Sequence, residues 1–109
     1  MSKEQKKLIR KNFRDACFKR DKYSCVMCGF KSSPEKALED LDCHHITDRS
    51  LMVSGGFVSQ NGISLCKLCH EKAEEFHSTG TAHPGYSPDD LYEKINSSLD
   101  VAIEASKKL

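Results

Sequence analysis

No tryptophan occurs in these 109 residues, and only 38% of them are hydrophobic. A core drawn from so little apolar material is modest, and a modest core needs a staple. No apolar run approaches the roughly 18 residues that span a bilayer, so no membrane segment is predicted. The chain starts lysine-rich and lacks the apolar h-region of a secretory signal. It is therefore expected in the cytoplasm, where thiols stay reduced. Its six cysteines then favour metal over disulfides. With no internal repeat or low-complexity tract, the length predicts one domain over residues 1–109.

A net charge of +1 hides an asymmetry. Residues 1–22 carry nine Lys/Arg against Glu4, Asp15 and Asp21, a net +6. Residues 71–109 carry four basic and eight acidic residues, a net −4. A basic arm on a near-neutral body suits phosphate contacts. A solvated helix face near a terminus is the alternative.

Ile9, Phe13 and Ala16/Cys17 recur at helical spacing, which predicts a helix over about residues 4–20 with its apolar stripe docked on the body. Tyr23 to Met27 reads as a short strand before a turn at Cys28-Gly29, and Ser33-Pro34 as the start of a helical turn. Leu41–Ile46 and Gly62–Leu65 read as strands, joined by a long loop from Thr47 to Asn61. A helix is expected from Lys67 to about Ser78, ended by Gly80. Ser87-Pro88-Asp89-Asp90 carries a capping box and opens a C-terminal helical extension over about residues 87–108.

Cys25-x-x-Cys28 and Cys66-x-x-Cys69 each place two thiolates on a tight turn, suited to two corners of a tetrahedron. Together they predict a closed structural zinc site, with 37 residues between Cys28 and Cys66. A redox pair is the alternative use of such thiols. Cys17 is expected to pack on its helix face and Cys43 to alternate with the histidines along its strand.

The order Cys25-x-x-Cys28-Gly29, Leu41-Asp42-Cys43-His44-His45-Ile46, Asn61, Leu65-Cys66-x-x-Cys69-His70 resembles the HNH endonucleases. Within them it is most similar to the zinc-stabilised branch typical of phage and mobile-element nucleases. The resemblance covers about residues 13–78. It implies a small α+β fold: a ββα-metal (His-Me finger) core over about residues 23–78, stapled by the four-cysteine zinc site and flanked by N- and C-terminal helices. It implies one catalytic divalent cation, usually magnesium. By the same resemblance His45 is the general base, His44 a metal ligand, Asn61 a brace that orients His45 through a hydrogen bond, and His70 the residue that completes the cation site.

Phosphodiester hydrolysis needs a deprotonated water and positive charge near the departing oxygen. A neutral imidazole accepts a proton readily at neutral pH. Adjacent strand residues point in opposite directions, so His44 can face the metal while His45 faces the attacking water. Nitrogen donors at His44 and His70 leave manganese, nickel or zinc open beside magnesium. Asp42 or Glu74 could add an oxygen or sit in solvent. His77, two turns beyond His70, lies about 10 Å along the helix, too far to share the cation easily but within reach of a phosphate.

These readings predict an endonuclease that nicks or cuts duplex DNA with little intrinsic sequence specificity. Arg10, Lys11, Arg14, Lys19, Arg20 and Arg49 are its expected phosphate contacts. Double-strand cutting by a one-site domain would need a homodimer or two successive nicks, and a phage or mobile-element protein partner is left open. A non-catalytic zinc-knuckle module that binds nucleic acid, or an accessory protein of a packaging or recombination complex, is the alternative.

Overall fold

A computed structural model describes residues 2–109. It begins with helix α1, Lys3–Arg20. Ser2 and Gln5 close a capping box: the Gln5 amide donates to Ser2 Oγ at 3.1 Å and the Ser2 amide to Gln5 Oε1 at 2.8 Å. Glu4 in the first turn and Lys19 and Arg20 in the last suit the helix dipole. The buried face is Phe13, Cys17 and Phe18. Ile9 is half-buried and Ala16 exposed, so the apolar stripe is shorter than periodicity suggested.

No strand forms at Tyr23–Met27. The segment is taken up by a knuckle turn, with Lys22 and Tyr23 both at φ 56° and a single bridge between Ser24 and Lys31. Ser33 caps the next turn by accepting from the Lys36 amide at 3.2 Å, ahead of α2, Ala37–Asp40. Strands β1, Leu41–His45, and β2, Gly62–Cys66, pair antiparallel, with Leu41 opposite Cys66 and His45 opposite Gly62. Helix α3, Lys67–Thr79, follows and ends at Gly80 in the left-handed region. Leu41, Ile46, Ile63 and Leu65 form the buried centre, with Phe18 of α1 and Ala73 of α3 packed around them.

The segment between the strands is more ordered than its composition suggested. It folds as two 3-10 turns, Arg49–Leu51 and Ser59–Asn61, around a tight Val53–Gly56 turn whose Ser54 and Gly55 leave the right-handed helical region. Arg20 clamps its end, donating to the Ser59 carbonyl at 2.6 Å and the Gly62 carbonyl at 2.7 Å while pairing with Asp21. Gly62 lets α1 approach this closely, because a Cβ there would collide with Cys17 Sγ and meet Phe13 Cε1 at 2.6 Å.

The C-terminal extension is two short helices rather than one. Helix α4, Pro88–Lys94, carries the expected capping box of Ser87 and Asp90. The chain then turns through Asn96 at φ 56°, and Ser98 caps α5, Leu99–Ser106. Asn tolerates the left-handed region and Ser is a strong cap, so Asn96-Ser97-Ser98 stops one helix and starts the next. No helix among the described residues is long and apolar enough to cross a membrane.

Candidate metal centres and active site

The two knuckles converge. The thiols of Cys25, Cys28, Cys66 and Cys69 all lie within 4.8 Å of one another, with Cys28 Sγ and Cys66 Sγ 3.7 Å apart. The Val26 amide donates to the Ser64 carbonyl at 3.0 Å, tying the first knuckle to β2. Burial raises the Cys25 thiol, but the backbone amides of Cys28, Cys66 and Met27 outweigh it and bring the group down to about 7. Burial, and then the neighbouring sulfurs, push Cys69 the other way, to about 12, against a hydrogen bond from Tyr86. Four crowded thiols cannot all ionise unaided, and a cation at their centre removes that conflict. The donor set suits a closed structural metal site.

The second cluster is built on β1 and α3. Alternation along β1 sends His44 toward α3 and His45 toward α1. His44 is fully buried at 1% exposure. Its Nδ1 lies 3.1 Å from Glu74 Oε1, and its Nε2 is sealed from solvent with no partner among the described residues. Burial, and then the neighbouring histidines, lower His44 to about 3, so the ring is neutral at pH 7. His77 Nε2 donates to the His45 carbonyl at 2.9 Å. A carbonyl only accepts, so this bond assigns the proton to Nε2 and leaves the Nδ1 lone pair free for a ligand. His44, Glu74 and His77 offer ligand atoms all within 4.8 Å of one another.

His70 stands beside this trio, its Nδ1 3.1 Å from Asp42 Oδ2 and its Nε2 3.1 Å from Glu74 Oε1. The expected partnership of His44 with His70 therefore exists as a ring contact at 5.2 Å, while His77 and Glu74 make the tighter ligand set. The helical distance between His70 and His77 misleads, because His44 enters from the strand between them, with its ring 5.1 Å from that of His77. The signal for Glu74 and His77 was present in the sequence: with His70 they stand at i, i+4 and i+7, one face of α3.

His45 occupies an aromatic slot. Its ring stacks on Phe13 at 4.6 Å and meets Phe57 edge-on at 4.7 Å. Nε2 is sealed without a partner, whereas Nδ1 is not. Burial, and then the positive charge of Arg49, lower His45 to about 4, which keeps it an unprotonated acceptor at neutral pH.

The HNH endonuclease family profile matches residues 25–76, which hold both Cys-x-x-Cys pairs, both strands and most of α3. This segment, 52 of the 109 residues, carries the HNH endonuclease assignment. Comparison with curated proteins and with solved structures returned no match. The fold is that of an HNH-type nuclease, and the His44, Glu74 and His77 cluster fits a His-Me finger active site.

Asn61 of this HNH nuclease is fully buried. It braces the loop through the backbone rather than through the His45 side chain: Oδ1 accepts from the Thr47 amide at 3.0 Å, and Nδ2 donates to the carbonyls of Thr47 at 3.0 Å and Gly56 at 3.2 Å. Tyr92 of α4 adds its hydroxyl to Oδ1 at 2.7 Å. No motif pointed to Tyr92.

The expected phosphate contacts divide. Arg49 is exposed and near enough to His45 to lower its proton affinity, and Lys19 is exposed. Arg10 lies over the Phe57 ring at 5.9 Å. Lys11 pairs with Asp15 at 2.7 Å, and Arg14 sits 3.5 Å from the same carboxylate. Arg20 is committed to Asp21 and two carbonyls, so its reach to a phosphate is the weakest of the six.

Proposed function

We propose that the protein hydrolyses phosphodiester bonds of duplex DNA, nicking or cutting with little intrinsic sequence specificity, with His45 as the general base. The observation that carries this reading is the divergence of two neutral imidazoles from adjacent positions on β1. His44 enters the Glu74 and His77 cluster, and His45 turns an unprotonated nitrogen to the other side. The convergence of His44, Glu74 and His77 ligand atoms within 4.8 Å, around a fully buried His44, supports a cation at that cluster.

His44, Glu74 and His77 would hold the divalent cation, with His70 and Asp42 alongside. Two nitrogens and one carboxylate favour manganese or nickel over magnesium, though magnesium remains usable when water completes its shell. A cation bound there supplies positive charge to the scissile phosphate and its leaving oxygen. His45 takes the proton of the attacking water. Its stack on Phe13 and edge contact with Phe57 fix the ring plane, so little reorientation is needed as the proton moves. His77, bonded to the His45 carbonyl, ties the base to the cation ligands through one backbone group. Arg49, Lys19 and Arg10 supply phosphate contacts that carry no sequence information. We assign zinc to the four-cysteine site, where it would replace the apolar core the composition lacks.

Supercoiled plasmid with added magnesium or manganese tests the reading, wild type beside His45→Ala. Nicking by wild type that is lost in a folded, metal-loaded His45→Ala protein supports it. A plasmid left supercoiled by wild type under both metals overturns it in favour of a binding module.

A further inference from the structure

Beside the His45 slot lies a concave groove of about 230 Å³, lined by Lys6, Ile9 and Arg10 of α1 and by Ser54, Gly55 and Phe57 of the inter-strand loop. Its lining is of two chemistries. Ile9 and Phe57 give apolar and aromatic surface, while Lys6 and Arg10 bring two cations. Phe57 touches the site directly, because the same ring meets His45 edge-on at 4.7 Å.

The loop wall is held in an uncommon conformation. Ser54, Gly55 and Gly56 run consecutively through the left-handed region at φ 53°, 78° and 65°. For Ser54, with its Cβ, that costs on the order of 1 kcal/mol. The fold pins the wall in place: the Gly55 amide donates to the Met52 carbonyl at 3.2 Å, and the Gly56 carbonyl accepts from Asn61 Nδ2 at 3.2 Å. A Cβ on Gly55 would lie 2.8 Å from Phe57 Cε2, so glycine there lets the backbone run against the ring without displacing it.

A partly exposed aromatic ring and two cations in one groove, next to the residue proposed as the base for phosphate chemistry, match one kind of ligand. We infer that this groove takes the base of an unpaired nucleotide in the strand being cut, stacked on Phe57, with Lys6 and Arg10 on its phosphates. The inference rests on the nuclease reading above and names the substrate feature that reading leaves open. Aromatic faces bind bases of any identity, because every base presents a π-face. A base inside an intact duplex has both faces covered by its neighbours and must leave the stack to reach such a surface. The Arg10 guanidinium stands 5.9 Å from the Phe57 centroid, at the outer limit of a cation–π contact, so an incoming base displaces it at little cost. The groove then selects gapped, bulged or branched DNA over perfect duplex.

Binding, rather than cleavage, tests the groove, so that its failure is separable from failure of the nuclease reading. Three fluorescently labelled duplexes are titrated with the metal-loaded full chain and no added divalent cation: one with a single unpaired thymidine, the same duplex with an abasic residue there, and a fully paired control. The abasic bulge keeps the flexibility and phosphates but has no ring. Stacking predicts about tenfold tighter binding of the thymidine bulge than of the abasic one, within what one base–aromatic stack supplies. Phe57→Leu removes the difference and Phe57→Tyr keeps it. Equal affinity for the two bulges overturns the inference, even if wild type nicks plasmid. A thymidine preference in a protein that does not nick leaves the groove standing and removes the hydrolase.

Discussion

Replacing Asn61 with alanine tests whether the loop between the strands is held by one side chain. Asn61 is fully buried and makes four side-chain hydrogen bonds: two to the Thr47 backbone, one to the Gly56 carbonyl and one from Tyr92. A net contribution of about 0.5–1.5 kcal/mol per bond gives roughly 2–6 kcal/mol. The lower end of that range is too small, because Asn61→Ala leaves the Thr47 amide inside without an acceptor. The upper end is too large, because the Tyr92 hydroxyl keeps Thr47 Oγ1 at 2.7 Å. The expected loss is about 3–4 kcal/mol, a large part of the roughly 5–15 kcal/mol that holds a small domain. At about 4–8 °C per kcal/mol the melting midpoint falls by more than about 10 °C.

Urea unfolding followed by circular dichroism measures the loss, and a double-mutant cycle with Tyr92→Phe locates it. Tyr92→Phe alone costs about 1 kcal/mol, and the pair couples by a similar amount, because both substitutions remove the same 2.7 Å bond. An Asn61→Ala protein less than about 1 kcal/mol below wild type, or costs that simply add, would refute the brace.

Extracting the metal from the Cys25, Cys28, Cys66 and Cys69 cluster with a thiophilic chelator should release one equivalent of zinc and abolish the cooperative melt, since the apolar core is too small to fold unaided. A stripped protein with an unchanged transition would show that the thiols are not the staple. Acid should destabilise the fold before any carboxylate titrates, because folding holds His44 near 3 and His45 near 4 against about 6.5 in the unfolded chain. Above pH 6.5 both states are neutral and nothing is gained. Below it only the unfolded chain takes up protons, so stability falls by about 1.4 kcal/mol per pH unit for each histidine. His45 stops contributing near pH 4 and His44 near pH 3. Unfolding free energies from urea titrations at pH 6.5 and 5.5, with zinc release monitored, should differ by about 2 kcal/mol; equal stabilities would mean that the rings are not sealed from protons.

What the sequence made legible follows the range of each signal. The Cys-x-x-Cys knuckles are read from contiguous residues, and their convergence follows from the tetrahedral demand of a metal. The opposite facing of His44 and His45 follows from the two-residue period of a strand. The cap at Ser87 is local chemistry that the sequence shows directly; the caps at Ser2 and Ser98 went unread. Ser98 lies inside an apolar pattern running from Leu91 to Ile103, so periodicity overrode a stop at Asn96 that the residues themselves carried. Tertiary partners were not legible. Arg20 looks like any other cation of α1 until β2 brings the Ser59 and Gly62 carbonyls to it. Tyr92 looks like a core residue until α4 folds back over Asn61.

Both of those partners lie outside residues 25–76, the segment that carries the family motif. The motif supplies His45 and Asn61, but it does not supply what holds them. Phe13 of α1 covers one face of the His45 ring, and the bare backbone of Gly62, opposite His45 on β2, is what admits it. Tyr92 of α4 closes the bonds of Asn61. The flanking helices are therefore walls of the candidate active site as much as extensions of the chain. For α1 the two roles are joined in one helix: Phe13 seats the proposed base, while Arg10, one turn earlier on the same helix, reaches over Phe57 toward the groove. A nucleic acid that engaged Lys6 and Arg10 would press on the element that orients His45, so that binding and the alignment of the proposed base would be coupled through α1 as well as through Phe57.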